Sequence, residues 1–170
     1  LKINGLPVLA YPALAAKKIK IINDFFISSD SDKILKVGYK YGYSPIKRPK
    51  SISKKNSLHI DALNHALTFL INKKMKYDFI LVLLGNSPTI KYQWIKKAIN
   101  IIKTNKKITS VVPVVKFQDY HPYRSKTLAS DGSLKSFFKF NKKISSNRQD
   151  LPPAFFLCHN FWLIKLEKGF

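Results

Sequence analysis

The chain has 170 residues, 45% of them apolar, enough for one domain with a hydrophobic core. Its formal charge is +22, from 31 Lys and Arg against 9 Asp and Glu. The single cysteine, Cys158, excludes an internal disulfide and fits a reducing, cytoplasmic setting. No apolar run nears the roughly 18 residues of a membrane span, and no signal-peptide pattern opens the chain.

Leu6 to Ile21 has helical character, with Pro7 tolerable in a first turn. Asp24 to Ser29 reads as a strand centred on Phe25, Phe26 and Ile27. Asp30-Ser31-Asp32 offers N-caps for a helix reaching about Tyr41, with Gly42 as its stop. Tyr43 to Ile46 is a short strand and Ser51 to Ser57 a polar loop. The helix from Leu58 to Asn72 carries Ile60, Leu63, Leu67, Leu70 and Ile71 on one stripe. Asp78 to Leu84 reads as a strand, apolar from Phe79 onward, the mark of a strand buried on both faces, and Gly85-Asn86-Ser87-Pro88 breaks it. A helix over Lys91 to Thr104 turns Ile95, Ala98, Ile99 and Ile102 inward. Ile108 to Val115 is again β-rich, so Asp78 to Val115 forms a right-handed βαβ unit. Tyr120 to Phe140 is polar and aromatic with a turn at Asp131-Gly132, a hairpin standing off the sheet. Ser145 to Pro153 is a loop, and Phe155 to Lys165 a final strand. Alternating strands and helices define an α/β domain.

Open α/β sheets bind ligands beyond the carboxyl ends of their strands. Ser28-Ser29-Asp30 and Gly85-Asn86-Ser87-Pro88 lie at such ends. Small polar residues there let backbone amides approach a ligand, and they equally serve as turns and caps. His59, His65, His121 and His159 are isolated, and a lone histidine is more often a surface or capped residue than a ligand. No His/Cys cluster has zinc spacing, and no Walker lysine loop or dinucleotide glycine motif is present. The positive charge admits a nucleic-acid or membrane-surface binder. However, only Arg48, Arg124 and Arg148 are arginines, and the lysines are scattered over polar helix faces beside abundant Ile and Asn. Compositional drift is the preferred explanation. Bottom-up, the residues support an α/β domain, a site at the strand ends and an anionic ligand.

Several segments, in order, resemble the acylneuraminate cytidylyltransferases, the CMP-sialic acid synthetases. Ile3-Asn4-Gly5-Leu6-Pro7-Val8-Leu9-Ala10-Tyr11 is similar to the family's "NGKPLIAY". Phe26 to Ser31 resembles its "VSTDS" strand end. Lys47-Arg48-Pro49 with Ile60-Asp61 and His65-Ala66-Leu67 resembles "RP…ID…HAL". His121-Pro122-Tyr123 matches "HPY", and Asn147 to Phe155 is similar to "RRQDLPPAY". The resemblance covers nearly the whole chain. It implies a mostly parallel, doubly wound, Rossmann-like nucleotidyltransferase sheet with a protruding β-hairpin. It also implies transfer of CMP from CTP to a nonulosonic, sialic-acid-like sugar acid, with release of pyrophosphate and magnesium on the triphosphate.

Carried over by motif, Arg48, Asp30, Asn86 and Ser87 fall at the nucleotide. Arg148 and Gln149, with His159 and Asn160, fall at the sugar acid, where a guanidinium offers a carboxylate a bidentate fork. The resemblance further implies a homodimer through residues 115–140, whose Phe117, Tyr120, Tyr123, Phe137 and Phe138 would bury against the second subunit. Leu84 stands where the family has a sugar-contacting glutamine and Phe156 where it has an arginine, while the family's asparagine falls at Cys158 or at the nearby His159 or Asn160. These departures mark a divergent branch. The chain is read as one domain, 1–170, cut at both ends. The phosphate loop is expected ahead of Leu1 and the metal aspartates after Phe170, so no catalytic or metal residue is assigned and these residues alone are expected to be inactive. The alternatives are another sugar nucleotidyltransferase of this fold, a decayed paralogue, or a basic nucleic-acid-binding α/β module.

Overall fold

The computed structural model describes residues 1–117, 119–140 and 143–166. Lys2–Ile3 (β1) and Leu6–Pro7 (β2) pair antiparallel across Asn4 and Gly5. Both turn residues have positive φ, 46° and 80°, as a tight two-residue hairpin demands. The hairpin takes Leu6 and Pro7 out of the expected helix, which runs instead over Ala10–Lys17 (α1). Pro12 lies in its first turn, where a missing N–H breaks no helical bond.

Phe26–Ser29 (β3), Asp32–Lys40 (α2) and Ser44–Lys47 (β4) follow, and β3 pairs parallel with β4. Gly42 (φ 78°) ends α2. Its N–H donates to the Tyr39 carbonyl at 2.8 Å, and Tyr43 N–H donates to the Gly38 carbonyl at 3.2 Å, capping orphan carbonyls. His59–Asn72 (α3) begins where the Asp61 carboxylate accepts from Leu58 N–H at 3.2 Å. Of its expected inward stripe, Leu67 and Leu70 are buried. Ile60 and Ile71 are exposed: one sits in the first turn, the other on the flank of the stripe.

Phe79–Leu83 (β5), Tyr92–Thr104 (α4), Ser110–Val111 (β6) and Val114–Lys116 (β7) come next. Lys126–Leu128 (β8) and Leu134–Ser136 (β9) form the hairpin. Phe155–Leu157 (β10) and Phe161–Lys165 (β11) replace the single final strand that the apolar run suggested. The turn through Cys158, His159 and Asn160 divides them, and they enter different sheets. β10 pairs with β7, while β11 lies between β5 and β6, antiparallel to both. The α/β class holds. Parallel pairing is seen at β3/β4, whereas the two strands of the β5–α4–β6 unit are separated by β11. β5 is half-buried rather than buried on both faces: Phe79, Leu81 and Leu83 pack against the core, and β11 is its one strand partner among the described residues.

The described residues fall into two compact units: Leu1–Val112 with the stretch from His159, and Pro113–Cys158. In the first, Ala15, Ala16 and Ile19 pack with Ile90, Ile95, Ala98 and Ile102 against Phe161 and Leu163. Phe161 and Leu163 alternate along β11 with Trp162 and Ile164, so one face of the strand meets the α1/α4 layer. In the second unit Leu151 is the buried apolar residue among those described. No helix among the described residues is long and apolar enough to cross a membrane.

Candidate functional site

In the first unit the sequence candidates gather at strand ends. The β3/β4 register pairs Ser29 with Lys47, so Asp30 and Arg48 leave the sheet side by side. Arg48 N–H continues the ladder by donating to the Ser29 carbonyl at 3.0 Å. Its Nε donates to Ser53 Oγ at 3.1 Å, and that hydroxyl donates to the Pro49 carbonyl at 2.9 Å. The guanidinium is thereby steadied from the loop after β4. Lys47 was not among the sequence candidates. Its Nζ donates to the Asp30 carbonyl at 2.8 Å and pairs with the Asp32 carboxylate at 2.5 Å, which holds the Asp32 carboxyl below its ordinary range. Of the three N-cap candidates Ser31 takes the position ahead of Asp32, with no side-chain cap bond, and Asp30 lies outside the helix. Ser29 Oγ instead accepts from Ser31 N–H at 3.2 Å.

Asn86 and Ser87 lie in the turn after β5, where Ser87 N–H donates to the Leu84 carbonyl at 3.1 Å. Leu84 N–H donates to the Asn160 carbonyl at 3.2 Å, which sets Asn160 beside that turn. The Asn160 Oδ1 is buried without a partner among the described residues. His159 is exposed, its ring 6.1 Å from that of Trp162. On β11, Trp162 also faces His59, at 6.2 Å, at the start of α3. His59 was set aside as an isolated histidine, and Trp162 was not a candidate; period-two alternation along the last strand was the signal available for Trp162.

In the second unit Arg148 and Gln149 line a cleft of about 530 Å³ with Lys116, Leu151 and Pro153. A short turn, 148–150, carries them, and Asn147 caps it by accepting from Gln149 N–H at 3.1 Å. Ser145 Oγ donates to the Asp150 carboxylate at 2.7 Å and closes the turn from behind. Arg148 pairs with the exposed Asp119 at 2.5 Å. Lys116 and Arg148, with Leu151 and Pro153, give the cleft cationic and apolar groups, which suit an anionic ligand. The substrate set is thus divided, with Arg148 and Gln149 in one unit and His159 and Asn160 in the other. His121, set aside as an isolated histidine, is buried in the second unit, and both ring nitrogens are engaged. Among the described residues no three His, Cys, Asp or Glu side chains are placed to hold a metal ion.

An α/β chain with polar and cationic residues at its strand ends is the architecture of a nucleotide-handling fold. The family model for cytidylyltransferases matches residues 1–160, and the chain belongs to that family. It is similar to a pseudaminic acid cytidylyltransferase of Campylobacter jejuni, 28% identical over 95 residues, covering 55% of this chain and 41% of that protein. It is similar also to a CMP-N,N'-diacetyllegionaminic acid synthase of Legionella pneumophila, 28% identical over 132 residues, covering 76% and 55%. The chain therefore spans about half the length of these curated relatives. Among solved structures it resembles a CMP:2-keto-3-deoxy-manno-octonic acid synthetase complexed with CTP, with a TM-score of 0.67 and 12% identity, covering 97% of this chain and 66% of that one. That likeness concerns the fold.

Proposed function

We propose that the protein activates a nonulosonic sugar acid with CTP, forming the CMP-sugar and pyrophosphate. The observation that carries this reading is the family match across residues 1–160, together with Arg148 and Gln149 on the wall of a cationic cleft. The anomeric hydroxyl of the acceptor attacks the α-phosphorus of CTP. A P–O bond forms, the α–β phosphoanhydride bond breaks, and pyrophosphate leaves with its electron pair while the hydroxyl loses its proton. No residue is assigned as the base. Arg148 and Lys116 hold the acceptor carboxylate, and Gln149 reads its polar substituents. Arg48, Asp30, Asn86 and Ser87 serve the nucleotide, and His159 and Asn160 are proposed for the sugar acid. Catalysis of this kind is positioning and charge stabilisation. Magnesium is proposed as the counter-ion of the triphosphate; no described residue is assigned to it.

Leu84 and Phe156 leave room for a different acceptor within the same reaction class. The exposed aromatics Phe117, Tyr120, Phe137 and Phe138 support a homodimer through the second unit, to be checked by sedimentation. A cytoplasmic site of action follows from the soluble substrates. The basic surface is proposed to steer anionic ligands rather than to bind nucleic acid. A duplex affinity that falls steeply with salt would contradict this. The activity test measures pyrophosphate release by the complete gene product, with magnesium, each of the four NTPs, and pseudaminic and N,N'-diacetyllegionaminic acids among the acceptors. Release that needs CTP and one such acid is expected. Release with another NTP, or none across the panel, would reject the assignment.

A further inference from the structure

Three residues of one short strip hold the segment that carries the cleft wall. Phe117 N–H donates to the Ala154 carbonyl at 3.1 Å, Asp119 pairs with Arg148 at 2.5 Å, and the His121 ring meets the Pro152 carbonyl at 2.9 Å. They are not equivalent. The Asp119–Arg148 pair is solvent-exposed and worth little. His121 is 3% exposed. Its Nδ1 accepts from Tyr123 N–H at 3.2 Å, so the ring proton belongs to Nε2, which donates to Pro152. The Tyr123 ring packs edge-on against the imidazole, centroids 4.9 Å apart. The Arg148–Asp150 turn, by contrast, is held by contacts to near neighbours, Ser145 and Asn147. On its C-terminal side the turn is tied to the rest of the unit by Leu151, buried, by the bonded carbonyls of Pro152 and Ala154, and by the β10/β7 pairing beyond them; the His121 bond to Pro152 is the first of these backbone ties after the turn.

We infer that His121 is a positioning residue for the acceptor. Its Nε2–H bond to Pro152 sets where Arg148 and Gln149 stand in the cleft. The inference rests on the reading of that cleft as the sugar-acid site. Removing the donor takes away the Pro152 carbonyl's bond to the buried ring, and the turn relaxes by the fraction of an ångström that a bidentate contact does not tolerate.

Two substitutions separate the two bonds of the ring. His121→Gln carries an amide N–H to the depth of Nε2 and keeps the bond to Pro152. His121→Asn keeps an acceptor near Nδ1 for Tyr123 and loses the donor. With the complete gene product, CTP, and pseudaminic or N,N'-diacetyllegionaminic acid as acceptor, His121→Asn raises the acceptor KM about tenfold, the scale of losing one well-made hydrogen bond. His121→Gln stays within about threefold, and the KM for CTP moves less than about twofold in both, because the donor touches only the acceptor wall. Equal effects of Asn and Gln, or a parallel rise in the KM for CTP, would overturn the inference. Arg148→Ala runs alongside. If it leaves the acceptor KM unchanged, the cleft assignment and the inference fall together. If it raises the KM while His121→Asn does not, the inference alone falls. Nitrogen NMR of the unmodified protein tests the tautomer directly: a protonated Nε2 and a bare Nδ1 are expected, and the reverse would contradict the bond to Pro152.

Discussion

The two units of this chain are stabilised differently. In the first, small and branched aliphatics from α1 and α4 close over one face of β11. In the second, among the described residues, Leu151 is the buried apolar side chain, most aromatics are exposed, and the links that define its shape are hydrogen bonds and one exposed ion pair. Burial on the scale of the first unit supplies the large favourable term in folding. A polar clip supplies geometry at a much smaller net gain. Stability and acceptor recognition are therefore assigned to different residues.

Substitutions sharpen that contrast. Ile95, fully buried, is the severest case: Ile95→Ala should cost about 2–5 kcal/mol in urea unfolding. A cost near zero would show that the α1/α4 layer is not the centre of stability. Gly38→Ala comes next. A Cβ there would lie 2.6 and 2.7 Å from Ile27 side-chain atoms, so β3 and α2 must part, at about 1–3 kcal/mol net of the helix preference for alanine. A stabilised variant would contradict the close packing.

Tyr43 gives a smaller, pH-dependent effect. Burial pushes its phenol from 10.0 to about 12. Its contribution is complete below pH 10 and is lost as pH rises through about 12, since the unfolded chain ionises first. Unfolding midpoints that do not fall over that window, or a phenolate band titrating fully near 10, would contradict the burial. Asp119→Asn is the mildest: as an exposed pair it should shift stability by less than about 0.5 kcal/mol. A larger loss would make the second unit's ion pair structural.

Legibility follows the range of the interaction. The stripe on α4 is local periodicity, and the structure buries Ile95, Ala98 and Ile102 as the sequence indicates. Asp30 could be placed because it follows a predicted strand, whereas Arg48 was named by motif, and the β3/β4 register sets the two side by side. The β1/β2 hairpin carried a plain signal in Asn4-Gly5, which the helical character of the following residues masked. The break between β10 and β11 had no such mark. Phe155 to Lys165 is apolar on both sides of Cys158-His159-Asn160, and the division follows from each half finding a different partner strand. Arg148 was legible by motif, but Asp119 and Lys116 beside it were not. His121 was discounted because its partner is a backbone carbonyl far along the chain, and no side-chain pattern records that.

The most direct test of the account crosses its two sets of residues. Arg48→Ala and Arg148→Ala in the complete gene product are compared by steady-state kinetics with CTP and the active sugar acid. The account predicts that Arg48→Ala raises the KM for CTP and leaves the acceptor KM near its original value, while Arg148→Ala does the opposite, each by about tenfold or more, the scale of a charge-assisted contact. Equal effects on both substrates, or reversed ones, would contradict the assignment of nucleotide and sugar acid to these residues.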